Sequence, residues 1–155
     1  MDKLDHQLLA LLQTDASRPH ADLARLVGLS ASQVSRRIAR LEADGFIRAT
    51  VALLSEAALG LQVEAYVAVA MASYAPDVVR GFHERISALP EVLDCRATTG
   101  DSDYLLRIVA RDLAAYSRLM NQQLLGHGDV ASVRSSVVLD RIKHTTSLPL
   151  PPPVA

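Results

Sequence analysis

The chain has 155 residues, 50% of them hydrophobic, 21% charged and 4% aromatic, with one cysteine and a net charge of −1. That composition allows one domain or two small ones with a packed core, and excludes general disorder, an internal disulfide and a cysteine-rich metal site. As an average, 16 basic against 17 acidic side chains argue against both a nucleic-acid binder and a membrane-surface protein.

No basic flank leads into a long apolar run at the N-terminus, so no signal peptide is expected. The most apolar stretch, Val63 to Ala72, contains Glu64 and is too short to span a bilayer. With a single cysteine suited to a reducing compartment, the expected location is the cytoplasm, with no membrane partner.

In chain order, Leu4, Leu8, Leu11 and Leu12 make a stripe at helical spacing, and Asp15 to Pro19 reads as a turn. Leu23, Leu26 and Val27 form a shorter second stripe that Gly28 ends. A third helix starts at Ser30, where Ser30 and Gln33 have capping-box spacing; it carries Val34, Ile38 and Leu41 inward and stops at Gly45. These residues define a helix-turn-helix domain over 1–48. A linker follows over 49–62, with room for one short strand, Ala49 to Leu54.

The remainder alternates strand and helix patterns. Val63 to Met71 reads as a buried strand, and Val79, Phe82, Ile86 and Leu89 as a helix stripe between Pro76 and Pro90. Strands Val92 to Thr99 and Tyr104 to Ala110 flank a Gly-Asp-Ser-Asp turn over 100–103. Leu113, Tyr116, Met120 and Leu124 mark another helix, Gly126-His127-Gly128 breaks it, and Val130 to Leu139 is a last strand. The order β-α-β-β-α-β is the ferredoxin-like arrangement, placed over 63–145. The tail, 146–155, holds four of the seven prolines and is expected to be extended or disordered.

Right-handed crossovers put both helices on one face of such a sheet. Yet Leu106 and Ile108 alternate with Leu105 and Val109, and Val137 and Leu139 with Val138. The second face therefore needs a cover, and a second copy of the chain is the simplest one, which predicts a homodimer.

Wound as a wheel, the third helix puts Ser32, Arg36, Ala39 and Arg40 opposite its apolar stripe, with Ser35 and Gln33 at the edges. Arginine can bridge guanine O6 and N7, glutamine can read adenine, and serine reaches phosphate or base. With Ser30 at the helix start, these are the candidate contacts to double-stranded DNA in a major groove. Arg37 sits beside the stripe and reads as a phosphate contact or an internal ion pair. Residues 1–50 hold seven Lys and Arg against six Asp and Glu, so positive charge is local to this helix. Because phosphate neutralisation sets most affinity, so few arginines require repeated copies of the site.

The run LAxxVGLSxSxVxxRIxxLExxGxI, with TTGDSDYLLRIV and a closing LPL, resembles the Lrp/AsnC (feast/famine) transcriptional regulators over nearly the whole chain. The resemblance implies an α+β protein: an N-terminal winged helix-turn-helix domain and a C-terminal ferredoxin-like effector domain. It implies dimers through the sheets, assembly to octamers, and an amino acid or related small molecule as effector at subunit interfaces. By position, the effector residues would be Gly100, Asp101, Ser102, Asp103 and Tyr104, with Ser135 on the last strand. Arg48-Ala49-Thr50, Ser55 and Val133 depart from the family pattern. Val133 points to a less polar pocket.

Cys95 reads as a buried small hydrophobe, the five histidines lack metal spacing, and no nucleophile–base pair is visible. A regulator without cofactor, metal or catalytic role is expected. The alternative is a ligand-binding or assembly module that acts through protein contacts with little DNA binding.

Overall fold

The computed structural model describes residues 1–152. The chain divides into two compact units: Met1–Leu53 together with the chain from Lys143, and Leu54–Ile142.

The first unit holds three helices: α1 (Lys3–Leu12), α2 (His20–Val27) and α3 (Ala31–Ala43). Each begins or ends where local chemistry satisfies its orphan main-chain groups. Asp2 caps α1, accepting from the Asp5 N–H at 2.9 Å while the Asp5 carboxylate accepts from the Asp2 N–H at 3.0 Å. Gly28 ends α2 with φ +71°, a left-handed conformation that a side chain would strain. Ser30 and Gln33 form the expected box on α3. At its far end the Phe46 N–H donates to Leu41 O (2.9 Å) and the Gly45 N–H to Glu42 O (3.0 Å), a Schellman closure. The apolar stripes meet in one core of Leu8, Leu23, Ala24, Val27, Val34 and Ile38.

No strand forms over Ala49 to Leu54, and the first unit has no β-wing among the described residues. An isolated strand has no partner for its ladder, and none is present here. The tail is extended, and the part that is described is not free. Gln13 grips it, donating from Nε2 to Leu148 O (3.1 Å) and accepting from the Leu148 N–H (3.0 Å). Residues 153–155 of the expected tail lie outside the described residues.

The second unit is a four-stranded antiparallel sheet in the order β2-β3-β1-β4, formed by β1 (Val63–Met71), β2 (Val92–Ala97), β3 (Tyr104–Ala110) and β4 (Val130–Val137). Helices α4 (Pro76–Ser87) and α5 (Leu113–Leu119) pack on one face. Ala65, Val67 and Val69 of β1 lie opposite Ile108, Leu106 and Tyr104 of β3, and opposite Val137, Ser135 and Val133 of β4. Over this layer pack Phe82 and Ile86 of α4 and Tyr116 of α5, followed by Met120 and Leu124.

Three boundaries differ from expectation. The strand β2 stops at Ala97 and β4 at Val137: just beyond them the Thr98 N–H still donates to Asp103 O (2.9 Å) and the Val138 N–H to Glu64 O (2.8 Å), but no ladder continues, and Leu139 is 98% exposed. After Leu119 the helix widens into a π turn, Met120–Leu124, and tightens into a 3₁₀ turn, Leu125–His127. Leu113 is exposed rather than part of the stripe. Gly126 permits this ending: a Cβ there would meet the Asn121 carbonyl oxygen at 2.9 Å.

The other sheet face is more polar than the alternation predicts. Val137 belongs to the helix-side layer, so β4 gives Ser132, Arg134 and Ser136 to the open face. Apolar surface there comes from Tyr66, Ala68, Ala70 and Leu105, with Tyr66 43% and Leu105 38% exposed. Cys95 is exposed on the edge strand β2, not buried. No helix among the described residues is long and apolar enough to cross a membrane.

Candidate nucleic-acid interface and effector site

Helix α3 buries Val34, Ile38 and Leu41 and leaves Ser32, Gln33, Ser35, Arg36, Ala39 and Arg40 exposed. The hydroxyl of Ser30 receives the Gln33 N–H (3.2 Å) and lies 3.1 Å from the Ser32 hydroxyl. The Gln33 carbonyl oxygen accepts from both the Ser30 N–H (2.9 Å) and the Ser30 hydroxyl (3.0 Å). Bidentate reading of adenine needs a free amide oxygen and a free NH₂. While the cap holds, Gln33 can offer only its NH₂. Ser30 and Gln33 thus aim the helix, Ser32 is tied to the Ser30 hydroxyl, and Ser35 and Arg36 are the unencumbered groups. Among the described residues no carboxylate pairs with Arg36.

The other two arginines are not free. Arg37 Nη1 donates to Asp2 Oδ2 and Asp5 Oδ1, both at 2.7 Å. It is the internal ion pair, and the two carboxylates, Asp2 before Asp5, raise its pKa. Arg40, expected to face outward unattached, donates from Nη2 to Asp5 Oδ2 at 2.7 Å, with its side chain 53% exposed. The reason is Asp5, only 1% exposed on the inner side of α1: a buried carboxylate must recruit cations or lose its charge. The Asp5 N–H, followed by the Arg37 guanidinium, brings the Asp2 carboxyl down to about 2. The one local signal for Asp5 in the sequence is the Asp2-x-x-Asp5 capping spacing, which announces a helix start and not a partner for α3.

In the second unit, the hairpin between β2 and β3 is braced from below. The Asp103 carboxylate accepts from the Met71 N–H (2.7 Å) and the Tyr74 hydroxyl (3.0 Å). Tyr104 lies against Phe82 with ring centroids 4.9 Å apart, and its hydroxyl is 2.8 Å from His83 Nε2. Partial burial raises the Tyr104 pKa. Thr98 donates its hydroxyl to Ser102 O at 2.9 Å, and Gly100 turns the tip with φ +115°. Asp101 is exposed at the tip. Gly100, Asp101, Ser102, Asp103 and Tyr104 are therefore together, with each Asp103 carboxylate oxygen already accepting one structural bond.

Ser135 does not join the hairpin cluster. It stands opposite Val67 on the helix side, and its hydroxyl accepts from the Tyr116 hydroxyl at 2.6 Å. Tyr74 and His83 carry no local sequence signal for this place, since the loop after β1 and helix α4 reach the hairpin only through the fold. Among the described residues no group of three or more His, Cys, Asp or Glu could hold a metal ion.

A capped helix-turn-helix followed by a β-α-β-β-α-β unit with a polar hairpin defines a two-domain DNA-binding regulator. The comparisons agree along the chain. The model of the AsnC-type helix-turn-helix domain matches residues 1–42, and that of the Lrp/AsnC ligand binding domain matches residues 64–148. Relatives include the Bkd operon transcriptional regulator of Pseudomonas aeruginosa, 35% identical over 150 residues (97% of this chain, 98% of that protein). The leucine-responsive regulatory protein of Escherichia coli is 33% identical over 148 residues (96% and 90%). A transcriptional regulator from Neisseria meningitidis, solved in complex with L-Met, superposes with a TM-score of 0.92 at 39% identity, covering 96% of each chain. The chain belongs to the Lrp/AsnC family of transcriptional regulators.

Proposed function

We propose that the protein binds specific duplex sequences through the exposed face of α3, and that an amino acid or related small molecule at the hairpin over 100–104 tunes that binding. The observation that carries the DNA reading is the capped α3 itself. It presents Ser32, Ser35, Arg36 and the outer edge of Arg40 above a closed apolar core. Support for the effector reading comes from the ligand-binding-domain match and from the L-Met bound to the Neisseria relative. At the tip, the Asp101 carboxylate is suited to an ammonium group, and main-chain N–H groups to a carboxylate.

The assembly we propose is a homodimer through the open sheet face, repeated to an octamer, acting in the cytoplasm and without a catalytic role. The exposed Tyr66 and Leu105 support the dimer; the octamer rests on family membership alone. Effector control then follows from linkage: a ligand that favours one assembly favours the spacing of recognition helices that goes with it.

The test is to select a duplex from a random pool and titrate it with the full chain and with the Arg36→Ala/Arg40→Ala variant. The variant is expected to lose at least about tenfold in affinity while keeping its oligomeric state. Unchanged affinity removes this face from the interface. A thermal-shift screen of the twenty amino acids tests the effector reading, with a raised unfolding temperature for at least one of them as the expected result.

A further inference from the structure

We propose that Asp5 is a positioning residue for DNA recognition: it holds one edge of the Arg40 guanidinium and so presents the other edge outward. The proposal rests on the reading of α3 as the DNA-contacting helix.

Four charged groups form a line. Asp2 binds Arg37, Arg37 binds Asp5, and Asp5 binds Arg40, with each link at 2.7 Å. Three of the four are fixed by local structure. Asp2 is the N-cap of α1, Asp5 is buried and also accepts the Asp2 N–H, and Arg37 lies against both acids. The two ends of the line, Asp2 and Arg40, are each half in solvent, and Arg40 is the cationic end, carried on α3.

A guanidinium has five donors in a rigid planar fork. Arg40 uses Nη2 toward Asp5, so one corner of the fork is anchored while the remaining donors stay available. The two carboxylates balance the two arginines, so this end of α3 adds little field. Its contribution is geometric: an arginine already held in place loses less freedom on binding than an unattached one such as Arg36. A preset fork favours the ligand geometry it matches, and thus acts on specific more than on general affinity.

Discrimination is read from the full chain on two duplexes of equal length, the one it selects from a random pool and a scrambled one. Wild type, Asp5→Asn, Arg40→Ala and the double variant are compared. Asp5→Asn is expected to weaken binding to the selected duplex by about tenfold and to change binding to the scrambled one by less than about twofold. The double variant is expected to bind no more weakly than Arg40→Ala alone, because Asp5 acts through Arg40. Tighter binding by Asp5→Asn means that Asp5 withholds Arg40 and overturns the proposal, as do effects that add in full. If Arg40→Ala alone leaves affinity unchanged, the interface reading itself is at fault.

Should Asp5→Asn not fold, Arg40→Lys decides. It keeps the charge but has no fork with which to grip and present at once. It is expected to bind the selected duplex as weakly as Arg40→Ala, and wild-type affinity would overturn the proposal.

Discussion

Each unit carries a cluster of two acids and two arginines, and the two clusters are wired differently. In the first unit, Asp2, Arg37, Asp5 and Arg40 form an open line whose last member is half exposed. In the second, Arg107 reaches Glu64 at 2.6 Å and Glu56 at 3.0 Å, while Arg141 reaches Glu64 at 2.6 Å and Glu56 at 3.1 Å. That is a closed ring, which joins β1 and β3 to the turn at Glu56 and to the chain beyond β4. A line leaves donors at its end for a partner, whereas a ring spends them internally. The same charges thus suit a contact in one place and a brace in the other.

The largest effect should come from breaking the line at its buried member. Asp5→Ala removes the buried acceptor shared by Arg37, Arg40 and the Asp2 N–H, and a stability loss of about 2 kcal/mol is expected in urea denaturation. A loss much below about 1 kcal/mol would show that Asp2 and water replace Asp5 at both guanidiniums and that the line is a surface feature. Next comes the ring: Glu64→Gln keeps the shape but removes the shared charge, and about 1 kcal/mol is expected by the same measurement.

Acid separates the two clusters further. Burial pushes the Glu64 carboxyl up, but hydrogen bonds from Arg141 and Arg107 outweigh it and bring it below its ordinary value of 4.5. Glu56 is lowered from the same value, chiefly by Arg141. A depressed folded-state pKa gives stability that is present above the unfolded value and lost as pH falls through the folded one. The ring should therefore begin to weaken below about pH 4.5. The Asp2 end of the line holds to lower pH, from 3.8 toward about 2. An unfolding-temperature profile against pH should show the ring's loss first, and Glu56→Gln/Glu64→Gln should flatten that part of the curve. The smallest effect is Arg141→Ala: a slight drop in unfolding temperature that shrinks as salt is added, since this arginine is the more exposed of the two.

What could be read from the sequence follows from how far each cause reaches along the chain. The start of α3 at Ser30 depends on residues three apart, and its box forms as expected. The bounds of β1, Val63 to Met71, depend on a run of apolar residues and are also met. Arg40 could not be read as anchored, because its partner is 35 residues away in sequence. Ser135 could not be placed with Tyr116, since the face of β4 depends on its register with β1. The same register removed Val137 from the open face. At Ala49 to Leu54 the linker had room for a short strand, but with no partner strand beside it none forms.

The sheet has two unpaired margins, β2 and β4. Asp94 and Arg96 stand along the first, and Arg134 in the middle of the second. Charged side chains at such margins discourage the strand-to-strand stacking by which exposed ladders grow into fibres. Crowded copies of this chain are thereby steered away from open-ended polymers and toward associations that close on themselves.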